Sequence, residues 1–126
     1  MSDMAKVLVV EDEHSHAEVL TMLFILEGFE VTVAANGRDA LDQLSRVRPD
    51  LIVSDYMMPL MNGGEMAKMV RAAPLHATVP IVMTSATDPQ QVEQYSEHYD
   101  AFVRKPYLWD DLFAIIKRLL APPLDV

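Results

Sequence analysis

The sequence contains no cysteine, so disulfides and thiolate chemistry are excluded; this is consistent with a cytoplasmic location. It also lacks a long hydrophobic run. The nearest is Val19–Leu26, interrupted by Thr21, against the roughly 20 residues a bilayer span requires. The first ten residues, MSDMAKVLVV, place an aspartate and a lysine before a brief apolar run, which makes a poor signal peptide. Basic residues are scarce: 10 Lys and Arg stand against 19 Asp and Glu, a net charge of −9. Affinity for nucleic acid rests on Lys and Arg neutralising phosphates, so direct nucleic-acid binding is not expected. Repeats, low-complexity tracts and Gly/Ser-rich linkers are missing too. What remains is 126 residues, 51% hydrophobic and 23% charged, an ordinary balance for a single globular domain over 1–126.

Short β-like runs alternate with longer amphipathic ones. Lys6–Val10 (KVLVV) and Leu51–Ser54 have the apolar, β-branched character of buried strands. Pro80–Thr84 and Ala101–Arg104 are further strands, and the alternating Phe29–Ala34 suits an edge. Helices are expected over Ser15–Leu26, with Val19, Leu20, Leu23, Phe24 and Leu26 at helical spacing, and over Asp39–Val47. Two more are expected over Gly64–Ala73, with Met66, Met69 and Val70 inward, and from Asp88-Pro89 to about Tyr99. The last runs from Trp109 to Leu120, and Pro122-Pro123 closes the domain. Five β-α units in succession argue for an α/β fold, a parallel sheet with helices on both faces. In such sheets ligands bind at the carboxyl ends of the strands.

Those ends carry the chemistry. The first strand runs into Glu11-Asp12-Glu13, the third into Asp55, the fourth into Thr84-Ser85 and the fifth into Lys105-Pro106. Each alone suits an ordinary polar turn; four on one edge point to a site. Converging carboxylates repel unless a hard cation neutralises them, and Mg²⁺ prefers such oxygen ligands. A carboxylate beside Mg²⁺ can attack a phosphoryl group to give an aspartyl phosphate. Lys105 would supply further positive charge and the Ser85 hydroxyl a hydrogen bond. Nothing suggests a Ser/His/Asp triad, a Walker loop or a zinc site. His14, His16, His76 and His98 read as ordinary surface residues.

Taken together, VLVVEDE (7–13), NGRDAL (36–41), PDLIVSDYMMPLMNGGE (49–65), PIVMTSA (80–86) and FVRKP (102–106) resemble the response-regulator receiver domain of two-component signalling. The resemblance covers Lys6 to Leu120. It implies a flavodoxin-like (βα)5 fold, a doubly wound five-stranded parallel sheet in the order 2-1-3-4-5. It implies Asp55 as phospho-acceptor, and Glu11, Asp12, Asp55 and the Met57 carbonyl as the Mg²⁺ site. Lys105 would pair with the phosphoryl group, and Ser85 and Phe102 would be the switch residues. A sensor histidine kinase or histidine phosphotransfer protein would be the donor. The face made by the fourth helix, fifth strand and fifth helix, with Tyr95 and Trp109, would engage a downstream effector or output domain, or form a dimer. For Trp109, simple packing explains the residue equally well. No membrane partner and no turnover of external substrates are implied.

Some positions depart from the family pattern. Leu108 and Trp109 leave the last helix poorly capped, and Gly64 stands where a larger apolar residue is common, so the third helix is expected to start loosely. Met57 and Thr87 flank the phosphoryl site and tune hydrolysis in the family; an apolar Met57 implies a long-lived phosphate. Two other classes compete. A pseudo-receiver that only binds proteins is disfavoured by intact Asp12, Asp55, Ser85 and Lys105. An aspartyl-nucleophile phosphatase needs a second aspartate two residues after the first, where this chain has Met57.

Overall fold

A computed structural model describes residues 4–121. The double proline at 122–123 and the first three residues of the N-terminal stretch lie outside the described residues. Five parallel strands, β1 (Lys6–Val10), β2 (Glu30–Ala34), β3 (Leu51–Asp55), β4 (Ile81–Ser85) and β5 (Ala101–Arg104), form one sheet in the order β2-β1-β3-β4-β5. Five helices alternate with them: α1 (His14–Leu26), α2 (Gly37–Val47), α3 (Gly63–Ala72), α4 (Pro89–Glu93) and α5 (Trp109–Leu120). This is the flavodoxin-like order the motifs imply.

Alternation along the central strands builds two cores. Leu8, Val10, Ile52, Ile81 and Met83 face one side, where α2, α3 and α4 add Leu44, Met66, Val70 and Val92. Val7, Val9, Leu51, Val53 and Val82 face the other, against Leu20 and Phe24 of α1 and Leu112 and Ile116 of α5. A strand covered on both faces reads as a continuous apolar run, which is why KVLVV and LIV stand out in the sequence. β2 and β5 are the edges, and β2 is partly exposed along most of its length.

The ends of the helices follow from local chemistry. Asn36 caps α2, accepting from the Asp39 N–H (2.8 Å), so the helix starts at Gly37, two residues before the expected Asp39. Asn62 and Glu65 form a complete capping box on α3 (2.8 and 3.1 Å). The expected loose start of α3 is therefore not found. Leu108 gives α5 no side-chain cap, as the sequence suggests. Instead Asp110 and Asp111 in the first turn and Lys117 and Arg118 in the last complement the helix dipole.

Other expectations need correction. On α1 the buried stripe is Ala17, Leu20 and Phe24, which leaves Val19 and Leu26 facing outward, and Met69 of α3 is exposed as well. The fourth helix ends at Glu93, well short of Tyr99. Beyond it Tyr95, Ser96 and His98 close turns through N–H bonds three residues back, to Val92, Glu93 and Tyr95. Residues 94–98 offer no basic last turn and no sustained apolar stripe to prolong a helix. His76 is buried in a single 3₁₀ turn, Pro74–His76, rather than on the surface. Trp109 stacks on Phe113 (centroids 5.3 Å) and meets the Phe24 ring edge-on (5.1 Å), so it packs α5 against α1.

Candidate functional site

The sheet ladder extends up to the acidic edge. The Glu11 N–H donates to Ala34 O (3.0 Å), Tyr56 N–H to Thr84 O (2.8 Å), and Lys105 N–H to Ser85 O (2.9 Å). Asp55 pairs with Thr84 in register and Ser85 with Arg104. The backbones that carry Glu11, Asp55, Ser85 and Lys105 are thus fixed by parallel pairing, not by loop conformation.

One carboxylate oxygen from each of Glu11, Asp12 and Asp55 lies within 4.8 Å of the others. Glu11 is buried, Asp55 half-buried and Asp12 exposed. Lys105 reaches in from the end of β5, its Nζ 3.3 Å from Asp55 Oδ2 and 3.5 Å from Glu11 Oε1. Burial raises the Glu11 pKa. Lys105 and the Glu13 N–H bond oppose that rise, and the Asp55 charge adds to it. Tyr107, beyond Pro106, is pushed up to about 12 by burial and by the charges of Glu11 and Asp55. This donor set fits a divalent cation: three oxygen ligands of the hard type, partly desolvated, with negative charge in excess of the one lysine.

The loop after β3 turns back on the site. Gly63 N–H donates to Tyr56 O (2.8 Å), and a Cβ at Gly63 would sit 2.5 Å from the Asp55 carbonyl oxygen. Only a glycine lets the chain pass this close. Leu60 adopts φ 73° and is exposed, and the Met57 side chain is exposed too. Ser85 is fully buried, and its Oγ accepts from the Thr87 N–H (2.9 Å), leaving its own proton free to donate. Phe102 is half-buried, pairs with Met83 and packs against the core beneath α2, α3 and α4.

Glu11, Asp12, Asp55 and Lys105 therefore come together. Ser85 lies one strand over from Asp55, and Phe102 sits on β5, away from the acidic cluster. Sequence reasoning missed His16, whose Nδ1 stands 3.2 Å from Glu11 Oε1. It is half-buried rather than an ordinary surface residue. The only hint was its place one turn into the helix that follows the acidic run.

A family model for the response regulator receiver domain matches residues 7–117. The sensory transduction protein RegX3 of Mycolicibacterium smegmatis is 38% identical over 124 residues, covering 97% of this chain and 53% of that protein. The chain spans about half the length of the curated relatives it matches. Among solved structures, the chemotaxis response regulator CheY4 of Vibrio cholerae superposes with a TM-score of 0.85 at 34% identity, covering 93% of this chain and 99% of that one. The response regulator TrrA of Thermotoga maritima, solved in complex with Mg²⁺–BeF, gives a TM-score of 0.85 at 31% identity, covering 93% and 100%.

Proposed function

The chain belongs to the response regulator receiver family, and we propose that it accepts a phosphoryl group on Asp55 from a histidine kinase or histidine phosphotransfer protein. The observation that carries this is the meeting of Glu11, Asp12 and Asp55, oxygens within 4.8 Å, beside Lys105 Nζ. Mg²⁺, held by Glu11, Asp12, Asp55 and the Met57 carbonyl, would neutralise charge on the phosphoryl oxygens.

The residues divide the work. A P–N bond of the donor phosphohistidine breaks as a P–O bond forms to an Asp55 carboxylate oxygen. Lys105, already 3.3 Å from that carboxylate, follows the negative charge onto the phosphoryl group. Ser85 donates its free hydroxyl proton to a phosphoryl oxygen. Its movement, with inward rotation of Phe102, shifts a two-state equilibrium and alters the face formed by α4, β5 and α5. That face then selects an effector, an output domain or a second copy. Receivers are signalling domains, so the chemistry is confined to the chain's own phosphorylation and dephosphorylation, on the cytoplasmic side where such a kinase would act. The relatives' greater length is consistent with an output domain on a longer chain.

The test is intact-mass spectrometry after incubation with Mg²⁺ and a small acyl phosphate, wild type beside Asp55→Asn. One added phosphoryl group, lost in the variant and in EDTA, is expected. No added mass and no response to beryllofluoride, or a label that survives in Asp55→Asn, would overturn the assignment.

A further inference from the structure

The residue after the candidate acceptor is aromatic and buried. Tyr56 is 5% exposed, and its ring faces Tyr95 with centroids 6.2 Å apart and planes tilted by 51°. Its hydroxyl donates to Gln91 O of α4 (3.4 Å). Tyr95 in turn lies over Gly64 of α3. A Cβ added at Gly64 would overlap the Tyr95 ring at Cγ, Cδ2 and Cε2. The space a side chain at 64 would fill is thus occupied by a ring from the segment after α4.

α4 has little else to hold it. It is five residues long, and Val92 is its single buried residue. A helix this short has no stability of its own. Its place on the core depends on Val92, on Tyr95, and on the bond from Tyr56. Tyr56 is also fixed to the sheet edge, through its N–H to Thr84 O and its carbonyl to Gly63 N–H.

We infer that Tyr95, seated on Gly64 and against Tyr56, is the positioning residue that clasps α4 to α3. The same clasp ties the position of α4 to the Asp55 end of β3. This part rests on the proposed receiver function: the clasp stabilises the arrangement in which the Ser85 hydroxyl is engaged by Thr87, and so opposes the shift that phosphorylation drives. Contacts made in one of two states bias the equilibrium toward that state, and any ligand of the other state feels the cost.

A double-mutant cycle of Gly64→Ala and Tyr95→Ala tests it. The first readout is amide hydrogen exchange of residues 90–98 in the metal-free protein, which does not depend on phosphorylation. Gly64→Ala and Tyr95→Ala should each speed exchange there by about tenfold, the middle of the range for touching side chains. Adding Gly64→Ala to Tyr95→Ala should do nothing further, because the ring it displaces is gone. Equal effects of Gly64→Ala with and without Tyr95, or exchange at the wild-type rate, would overturn the clasp. The second readout is titration with Mg²⁺ and beryllofluoride, where both single variants should bind about threefold or more tightly than wild type. Unchanged or weaker binding would overturn the coupling while leaving the clasp. A wild type that binds no beryllofluoride at all would count against the receiver function, and the exchange data would still decide the clasp.

Discussion

Lys105 is the one cation within 4 Å of Asp55 among the described residues, and its removal has a calculable effect. Its Nζ lies 3.3 Å from Asp55 and 3.5 Å from Glu11. At an effective dielectric of ~20 each pair contributes about 5 kcal/mol of attraction, against at least about 3.5 kcal/mol of repulsion between the two carboxylates. Desolvation cancels much of the gross gain, so removing one partner of such a buried set costs about 3–5 kcal/mol. Lys105 retains 18% side-chain exposure, and water can enter when it is lost. The lower end, about 3 kcal/mol, is therefore expected for Lys105→Met, which keeps an unbranched apolar stem and so isolates the charge. For a domain of this size that is a fall in Tm of roughly 10 °C. The assay is denaturant unfolding at neutral pH, in EDTA and again in saturating Mg²⁺. Mg²⁺ at about 100 times its Kd adds about 2.7 kcal/mol to the wild type. It should add more to Lys105→Met, because it no longer competes with a bound cation. Equal stability of variant and wild type in EDTA would refute the electrostatic reasoning. An equal Mg²⁺ increment in both would show that the cation sits elsewhere.

Two further predictions concern the same edge. Burial raises the Glu11 pKa above its ordinary 4.5, so in the metal-free protein the folded state binds the extra proton between the two values. Stability is then greatest below pH 4.5 as far as this group is concerned, and it falls as pH rises through the folded value. Glu11→Gln should remove that fall, measured as the difference between the two unfolding curves across the acidic range; a parallel pair of curves would show that Glu11 is not responsible. Leu60→Gly should stabilise the fold by about 1 kcal/mol, because Leu60, at φ 73°, is the centre of a tight turn closed by Met61 N–H to Pro59 O, a strained conformation that costs a non-glycine residue roughly that amount, and the exposed side chain loses no burial. A Tm rise of about 4 °C is expected, and a fall would mean that Leu60 makes contacts that offset the strain.

Much of the site was legible because each piece ends a strand or follows one directly. VLVV and LIV are apolar since both faces of the sheet are covered, and the charged residues that come at the ends of these strands, Glu11 and Asp55, therefore reach the carboxyl edge. Fold and site are thus read from the same local pattern. The misreadings share a different origin. Val19, Leu26 and Met69 are apolar and at plausible spacing, yet which side of a helix is covered depends on where its neighbour lies. His16 reads as a surface polar residue until the first turn of α1 is placed beside Glu11. Gly64 reads as a weak helix start, because its partner Tyr95 is distant in sequence and joins it only through the fold. The extent of α4 failed for a related reason: Val92, Tyr95 and Tyr99 all pack on the same core, but only Val92 does so from the helix, Tyr95 from a turn and Tyr99 from the irregular stretch before β5.

The contrast between the acidic edge and α4 carries the functional argument. Glu11, Asp55, Ser85 and Lys105 are anchored by strand pairing, among the last contacts a domain of this kind gives up. α4 is the reverse: five residues, one buried side chain, and a terminus held by a half-exposed ring. Elements that move in response to a ligand come from the low-stability end of a structure. A site meant only to bind a cation has no need of such a neighbour. Here the weakly held helix is joined to Tyr56, the residue beside Asp55, whose N–H is fixed to the sheet at Thr84 O and whose hydroxyl donates to Gln91 O of α4. On the proposed function, a phosphoryl group at Asp55 would meet the paired strand ends on one side and the weakly held α4 on the other, and its effect would be directed toward α4.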